Sequence, residues 1–180
     1  MSASVLPATG PGPVFAAESI RLLRDTYVPR MERAVRELPA GDLWWRPHAR
    51  CTSVGNLLLH LEGNVRQWIV SGLGGAADHR ERAAEFAARD GADAGALLAR
   101  LCATVDEACD VITGLPPAGW ATRVVIQGVP TTVLGAVFHV VEHFAWHTGQ
   151  VTWIAKLRRG EEHAIAFYDD AALDGARNPG

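Results

Sequence analysis

Apolar residues recur along most of the chain at intervals of three and four, which is the spacing of amphipathic helices. Capping residues and glycines set the ends of four long predicted helices, at about 15–38, 52–72, 93–115 and 131–160. The first is expected to kink or break at Pro29, because proline lacks the N–H that a helix interior needs. Four long helices joined by unlike connections predict an all-α four-helix bundle with at least one long crossover connection.

The segments between and beside these helices differ in character. Residues 120–129 are rich in β-branched side chains and predict a short hairpin or an extended strand before Pro130. Residues 77–90 are highly charged, which is typical of a surface loop or an irregular helical turn. Residues 1–14 are expected to form a flexible leader and residues 161–180 a loosely ordered tail, so that 15–160 make one domain.

Composition narrows the class of protein. The 180 residues are 48% hydrophobic and 21% charged, as in ordinary globular proteins. A formal net charge of −3 gives no basic field for polyphosphate, so nucleic acid is not an expected partner. The N-terminus lacks the basic start and continuous apolar stretch of a signal peptide, so we expect a cytoplasmic protein without membrane contact. Three cysteines with no CxxC pair suit a reducing compartment.

Histidines supply the candidate chemistry. His139, His143 and His147 recur every fourth residue in the last predicted helix and share one face. Two histidines at that spacing can converge on one ion, but the third drifts round the helix by about 40° per step. If the second and fourth helices face each other, His60 completes a three-histidine site with an open position, as in catalytic zinc centres.

Other interpretations of these histidines stay open. They can be core residues of an empty site, or they can bind metal without any reaction. The run His139-Val-Val-Glu142-His143 also matches the H-x-x-E-H pattern of inverzincin peptidases, in which Glu142 would be the base. Replacement of His147 by alanine would spare the metal in the peptidase interpretation and abolish its binding in the bundle interpretation.

The sequence resembles the DinB/YfiT-like metal-binding four-helix bundles. The resemblance rests on SVGNLLLHLEGNVRQWI, DHRERAAEF and HVVEHFAWHTGQVTWIAK, and it covers the chain from the first helix to Lys156. It implies that His60, His143 and His147 bind one divalent ion, usually zinc or nickel, and that His139 lies beside them or in the core. It also implies a homodimer. Members of the family include thiol S-transferases and a thiol-dependent isomerase that use mycothiol or bacillithiol, while other members have no known reaction.

Thiol S-transfer to an electrophile is therefore the first functional hypothesis, with a low-molecular-weight thiol as cosubstrate. Hydrolysis of a small molecule by an activated water is the alternative, and a non-catalytic metal- or ligand-binding bundle is the third. Candidate partners of the ligand histidines or of the open position are Asn64, Glu142, Gln150 and His139. Candidate substrate contacts are Trp68, Trp146 and Trp153 as walls of a cavity, and Arg80, in the charged segment with Arg82 and Glu85, for an acidic group.

Overall fold

A computed structural model describes residues 10–168, which are mostly helical and include one two-stranded sheet. The helices are α1 Pro11–Ile20, α2 Val28–Arg36, α3 Val54–Val65, α4 Arg82–Ala87, α5 Ala94–Gly114 and α6 Val133–Arg159, and the strands are β1 Arg123–Ile126 and β2 Val129–Thr132. This architecture is compatible with the predicted all-α bundle. Among residues 10–168, no helix has both the length and the apolar character needed to cross a membrane.

The first two helices form one continuous helical run. A π-helical stretch, Arg21–Tyr27, joins α1 to α2, and the N–H of Val28 bonds to the carbonyl of Leu23. Pro29 is the second residue of α2. The helix was predicted to kink or break at Pro29, and the irregularity found is a widened helical turn just before the proline. The run begins at Pro11, inside the predicted leader, because proline suits the first turn of a helix.

The predicted chain ends are only partly covered by the structure. Residues 1–9 of the leader and 169–180 of the tail lie outside the described residues. The described part of the tail packs on the bundle, because Ile165 is buried and the Arg30 guanidinium lies over the Phe167 ring.

Side-chain caps begin the other long helices where the sequence predicts them. Ser53 accepts a hydrogen bond from the N–H of Asn56, and the Asn56 side chain accepts one from the N–H of Ser53, which makes a capping box. Asp93 and Thr132 each accept a hydrogen bond from the N–H three residues further along. A second π-helical stretch, Arg66–Ser71, extends α3 towards the glycines that end it.

The predicted hairpin forms directly before α6. Strands β1 and β2 pair antiparallel, with Val125 opposite Pro130. Gln127 and Gly128 connect them with φ angles of 55° and 74°, as a type I′ turn requires.

The charged segment 77–90 is mostly exposed and includes a short helical turn, as predicted, but one of its charged residues is buried. It contains α4, and α4 lies against α3 with Glu85 buried. One apolar core, which includes Leu57, Leu61 and Phe144, joins α3, α5 and α6. Because α3 packs directly on α6, His60 comes to face the histidines of the last helix.

Candidate metal centre

Three histidines from two helices converge on one point. His60 lies on α3, and His143 and His147 lie one turn apart on α6. The Nε2 atom of His143 is 2.9 Å from that of His60 and 3.2 Å from that of His147. Two nitrogens bound tetrahedrally to zinc at about 2.0–2.1 Å would be about 3.3 Å apart. The spacing is therefore close to that of a ligand set, and the group could hold a metal ion.

Hydrogen bonds fix the protons of two of these rings. Nδ1 of His60 lies 2.9 Å from Oε2 of Glu85, and Nδ1 of His147 lies 2.6 Å from Oε1 of Gln150. Both oxygens only accept, so each of these hydrogen bonds needs the proton on Nδ1, and both Nε2 atoms then present a lone pair towards His143. Nη2 of Arg80 also lies 3.1 Å from Nδ1 of His60, and with this tautomer it donates to Oε2 of Glu85 at 3.0 Å. One N–H on His143 can satisfy only one of these lone pairs, whereas a cation would satisfy all three nitrogens.

A buried ion pair holds the carboxylate that orients His60. Arg80 donates from Nε to Oε1 of Glu85 at 2.7 Å and from Nη2 to Oε2 at 3.0 Å, while Nη1 donates to the Gln67 side chain. Burial alone would raise the pKa of Glu85, but the hydrogen bonds from His60 and Arg80 outweigh it and hold that pKa below its ordinary value. Glu85 is therefore an ionised acceptor, as the partners of metal-binding histidines commonly are.

Arg80, a predicted candidate for binding an acidic substrate group, lies in this buried ion pair. Its side chain is only 4% exposed, and Glu85 and Gln67 occupy its guanidinium. The charged residues 77–90 were expected at the surface, but this pair turns inward because each charge neutralises the other.

Gly63 makes room for this ion pair. It lies one turn after His60 on α3, and a Cβ built there would overlap Oε1 of Glu85 and lie 2.9 Å from Nε of Arg80. Any larger residue would therefore push the carboxylate away from His60.

Burial keeps the α6 histidines neutral. Desolvation, helped by the neighbouring His147 and His60, lowers the pKa of His143 to about 3. Burial also lowers the pKa of His147, against the hydrogen bond to Gln150, which raises it. Both rings are thus uncharged at neutral pH, with one N–H each, which is the state in which imidazole binds metals.

His139 belongs to a separate polar layer. Nδ2 of Asn64 donates to Nε2 of His139 at 3.2 Å, and the Trp68 ring lies 4.0 Å from the His139 ring between centroids. Burial lowers the pKa of His139 as well. Oδ1 of Asn64 and Nε1 of Trp68 are buried without a hydrogen-bond partner among the described residues. Glu142 is exposed on the outer side of α6.

An apolar groove runs beside His147. It measures about 560 Å³. Its lining includes Trp45, Cys51, Leu57, Trp146, Gln150 and Trp153. Gln150 connects the groove to the histidines, because its side chain also accepts the Nδ1 proton of His147. Trp146 and Trp153, predicted as cavity walls, line this groove, whereas Trp68 is buried away from it.

Sequence reasoning missed the role of Glu85. The residue was considered only with Arg80 and Arg82, as part of a charged segment. Two local signals were available: a glycine one turn after His60, and an arginine five residues before the glutamate. Neither signal places the carboxylate on a histidine 25 residues away.

Comparison with known proteins identifies a family. The family described as "Protein of unknown function (DUF1572)" matches residues 15–166. The match contains the three histidines, Glu85 and Arg80. A search of curated proteins finds none that matches the chain. Because the family match covers most of the sequence, the chain belongs to the DUF1572 family.

Proposed function

We propose that this protein is a metal-dependent enzyme of the DinB/YfiT-like four-helix type, with one zinc or nickel ion bound by His60, His143 and His147. The observation that carries the proposal is the convergence of three Nε2 atoms, two of which present lone pairs fixed by Glu85 and Gln150. When bound, such an ion lowers the pKa of a thiol or water beside it and so provides a nucleophile at neutral pH.

The protein's own residues would prepare the ligands and receive the substrate. Glu85 and Gln150 keep the protons of His60 and His147 on Nδ1, which leaves Nε2 free. The groove beside Gln150 is walled by Trp45, Trp146 and Trp153 and suits a largely apolar small molecule, with Arg50 as the one charged residue of its lining. We therefore propose thiol S-transfer, with a low-molecular-weight thiol as cosubstrate and an apolar electrophile in the groove.

Elemental analysis of the purified protein tests the metal site. Wild type should contain about one equivalent of zinc or nickel, and alanine at His60, His143 or His147 should abolish it. His139→Ala is the matched control, because His139 lies on the same helix face and bonds to Asn64. Loss of metal in His139→Ala with retention in His147→Ala would favour the peptidase interpretation. Absence of metal in wild type after reconstitution would overturn the proposal.

A paired assay tests the reaction. Mycothiol, bacillithiol or a simple thiol is offered with an aromatic electrophile, and an aromatic ester is offered without thiol. We expect metal-dependent thioether formation that His143→Ala lacks. Ester turnover without thiol would replace the transferase by a hydrolase. Full metal content with no turnover across several thiols, electrophiles and esters would leave a binding protein.

A further inference from the structure

A cysteine and a histidine form a close pair in the loop before α3. Sγ of Cys51 lies 3.2 Å from Nε2 of His48. The N–H of Arg50 donates to Nδ1 of His48 at 3.3 Å, so the ring proton lies on Nε2 and can bond to the sulfur. The N–H of Cys51 also donates to the carbonyl of His48, which closes the turn that holds the pair together. An imidazole N–H beside a sulfur stabilises the thiolate, which is the nucleophilic form of cysteine.

Positive charge lies close to this pair. Arg50, next to Cys51 in sequence, is the one charged residue that lines the adjoining groove. Arg46 also interacts with Cys51. Burial and the neighbouring Arg89 lower the pKa of Arg46, and attraction to the Cys51 sulfur acts in the opposite direction. These guanidinium groups favour a thiolate and would attract a reaction partner that carries an acidic group.

The other two cysteines provide an internal comparison. Cys109 is fully buried, and burial raises the pKa of its thiol to about 11. Cys102 is half-buried with its Sγ 3.7 Å from Oε1 of Glu32, and burial and that carboxylate raise its pKa. Both of these thiols are therefore protonated at neutral pH, and neither lines the groove.

The groove that Cys51 lines has the dimensions of a ligand site. Its volume of about 560 Å³ is within the range of small-molecule pockets. The Trp146 and Trp153 side chains line it and are 63% and 65% exposed, so an aromatic or apolar molecule would cover them favourably. Gln150 lines it as well and bonds to His147, so a molecule in the groove would lie beside the candidate metal centre.

We propose that Cys51 is a reactive thiol that forms a mixed disulfide with low-molecular-weight disulfides, and that the adduct fills the groove beside His147. In this exchange the Cys51 thiolate attacks one sulfur of the disulfide. A new Sγ–S bond forms, the original S–S bond breaks, and the other half leaves as a thiolate. The disulfide is the oxidant, and the proton of the Cys51 thiol goes to water. Formation of the adduct needs no metal, whereas its effect on turnover rests on the proposed function.

Reaction rates at each cysteine test the proposal. Folded wild type is treated with a limiting amount of dithiodipyridine, and mass spectrometry of peptides locates the adduct. We expect it on Cys51, with Cys102 and Cys109 at least about tenfold slower. His48→Ala should slow the reaction of Cys51 about tenfold. The control is His163→Ala, because His163 also accepts the N–H two residues ahead on Nδ1 but bonds to no cysteine in the described part of the chain.

A second reagent tests whether the adduct lies in the groove. Arg50→Gln should slow the anionic dithiobis(nitrobenzoate) about threefold more than the neutral dithiodipyridine. In metal-loaded wild type the adduct should abolish turnover without loss of metal, and dithiothreitol should restore turnover. His143→Ala should form the adduct at the wild-type rate. Failure of the proposed enzymatic function would therefore leave the test of Cys51 intact.

Three results would contradict the proposal. Preferential reaction at Cys102 or Cys109 would overturn it. An unchanged rate in His48→Ala would overturn it as well, because Cys51 would then be an ordinary accessible thiol. Equal effects of Arg50→Gln on the two reagents, or full turnover of protein modified at Cys51, would exclude the groove as the place of the adduct.

Discussion

Replacement of Glu85 by glutamine is the most informative single change, because it alters charge with almost no change in shape. The Arg80 side chain is 4% exposed and would lose its ionic partner where water cannot replace it. Removal of one partner of a buried ion pair typically costs 3–5 kcal/mol. Since the amide oxygen still accepts a hydrogen bond, we expect the free energy of unfolding of the metal-free protein to fall by about 3 kcal/mol. The melting temperature should fall by about 6–12 °C.

The same change should weaken metal binding. The Glu85 carboxylate holds the Nδ1 proton of His60 at 2.9 Å, and loss of such a partner typically lowers metal affinity by about 10–100-fold. Denaturant unfolding of the metal-free protein measures stability, and competition with a chromophoric chelator measures zinc affinity. Glu107→Gln is the matched control, because that carboxylate pairs with Arg66 at the surface and should contribute no more than about 1 kcal/mol.

A double variant separates the two effects. Arg80→Gln with Glu85→Gln removes the unpaired charge, so it should regain much of the stability while zinc affinity stays low. Wild-type stability and wild-type zinc affinity in Glu85→Gln would refute the reasoning, since the carboxylate would then neither neutralise Arg80 nor orient His60.

Three further predictions follow from local geometry. Gly63→Ala should lower zinc affinity about tenfold, because the added methyl group displaces the Glu85 carboxylate from His60. Alanine by itself favours a helix, so a variant with a higher free energy of unfolding and full zinc affinity in the chelator competition would contradict this prediction. Ser53→Ala should lose the capping box and about 1–2 kcal/mol in urea unfolding; an unchanged midpoint would show that the cap contributes nothing. Burial raises the pKa of the Cys109 thiol from 9.0 to about 11. Because the pKa of this thiol is higher in the folded than in the unfolded chain, the neutral thiol contributes about 2–3 kcal/mol to the free energy of unfolding. This contribution is complete below pH 9.0 and is lost as the pH rises to about 11. Unfolding measured from pH 8 to 11 should show a flatter alkaline decline for Cys109→Ala, and equal slopes would contradict the shift.

The features that the sequence predicted well are local ones. The starts of α3, α5 and α6 depend on a side-chain oxygen that reaches an N–H three residues ahead, at Ser53, Asp93 and Thr132. The pairing of His143 with His147 follows from helix geometry alone. The long helices follow from apolar periodicity, because each must bury one face.

Tertiary structure decided which distant groups meet. A highly charged segment such as 77–90 predicts exposure to solvent, because the burial of an isolated charge costs much free energy. Only the packing of α4 on α3 shows that Arg80 and Glu85 neutralise each other, and that Gly63 leaves the carboxylate room to reach His60. The sequence by itself thus determined the helices and their histidine face, whereas the partner that fixes the proton of His60 depends on contacts between residues far apart in the chain.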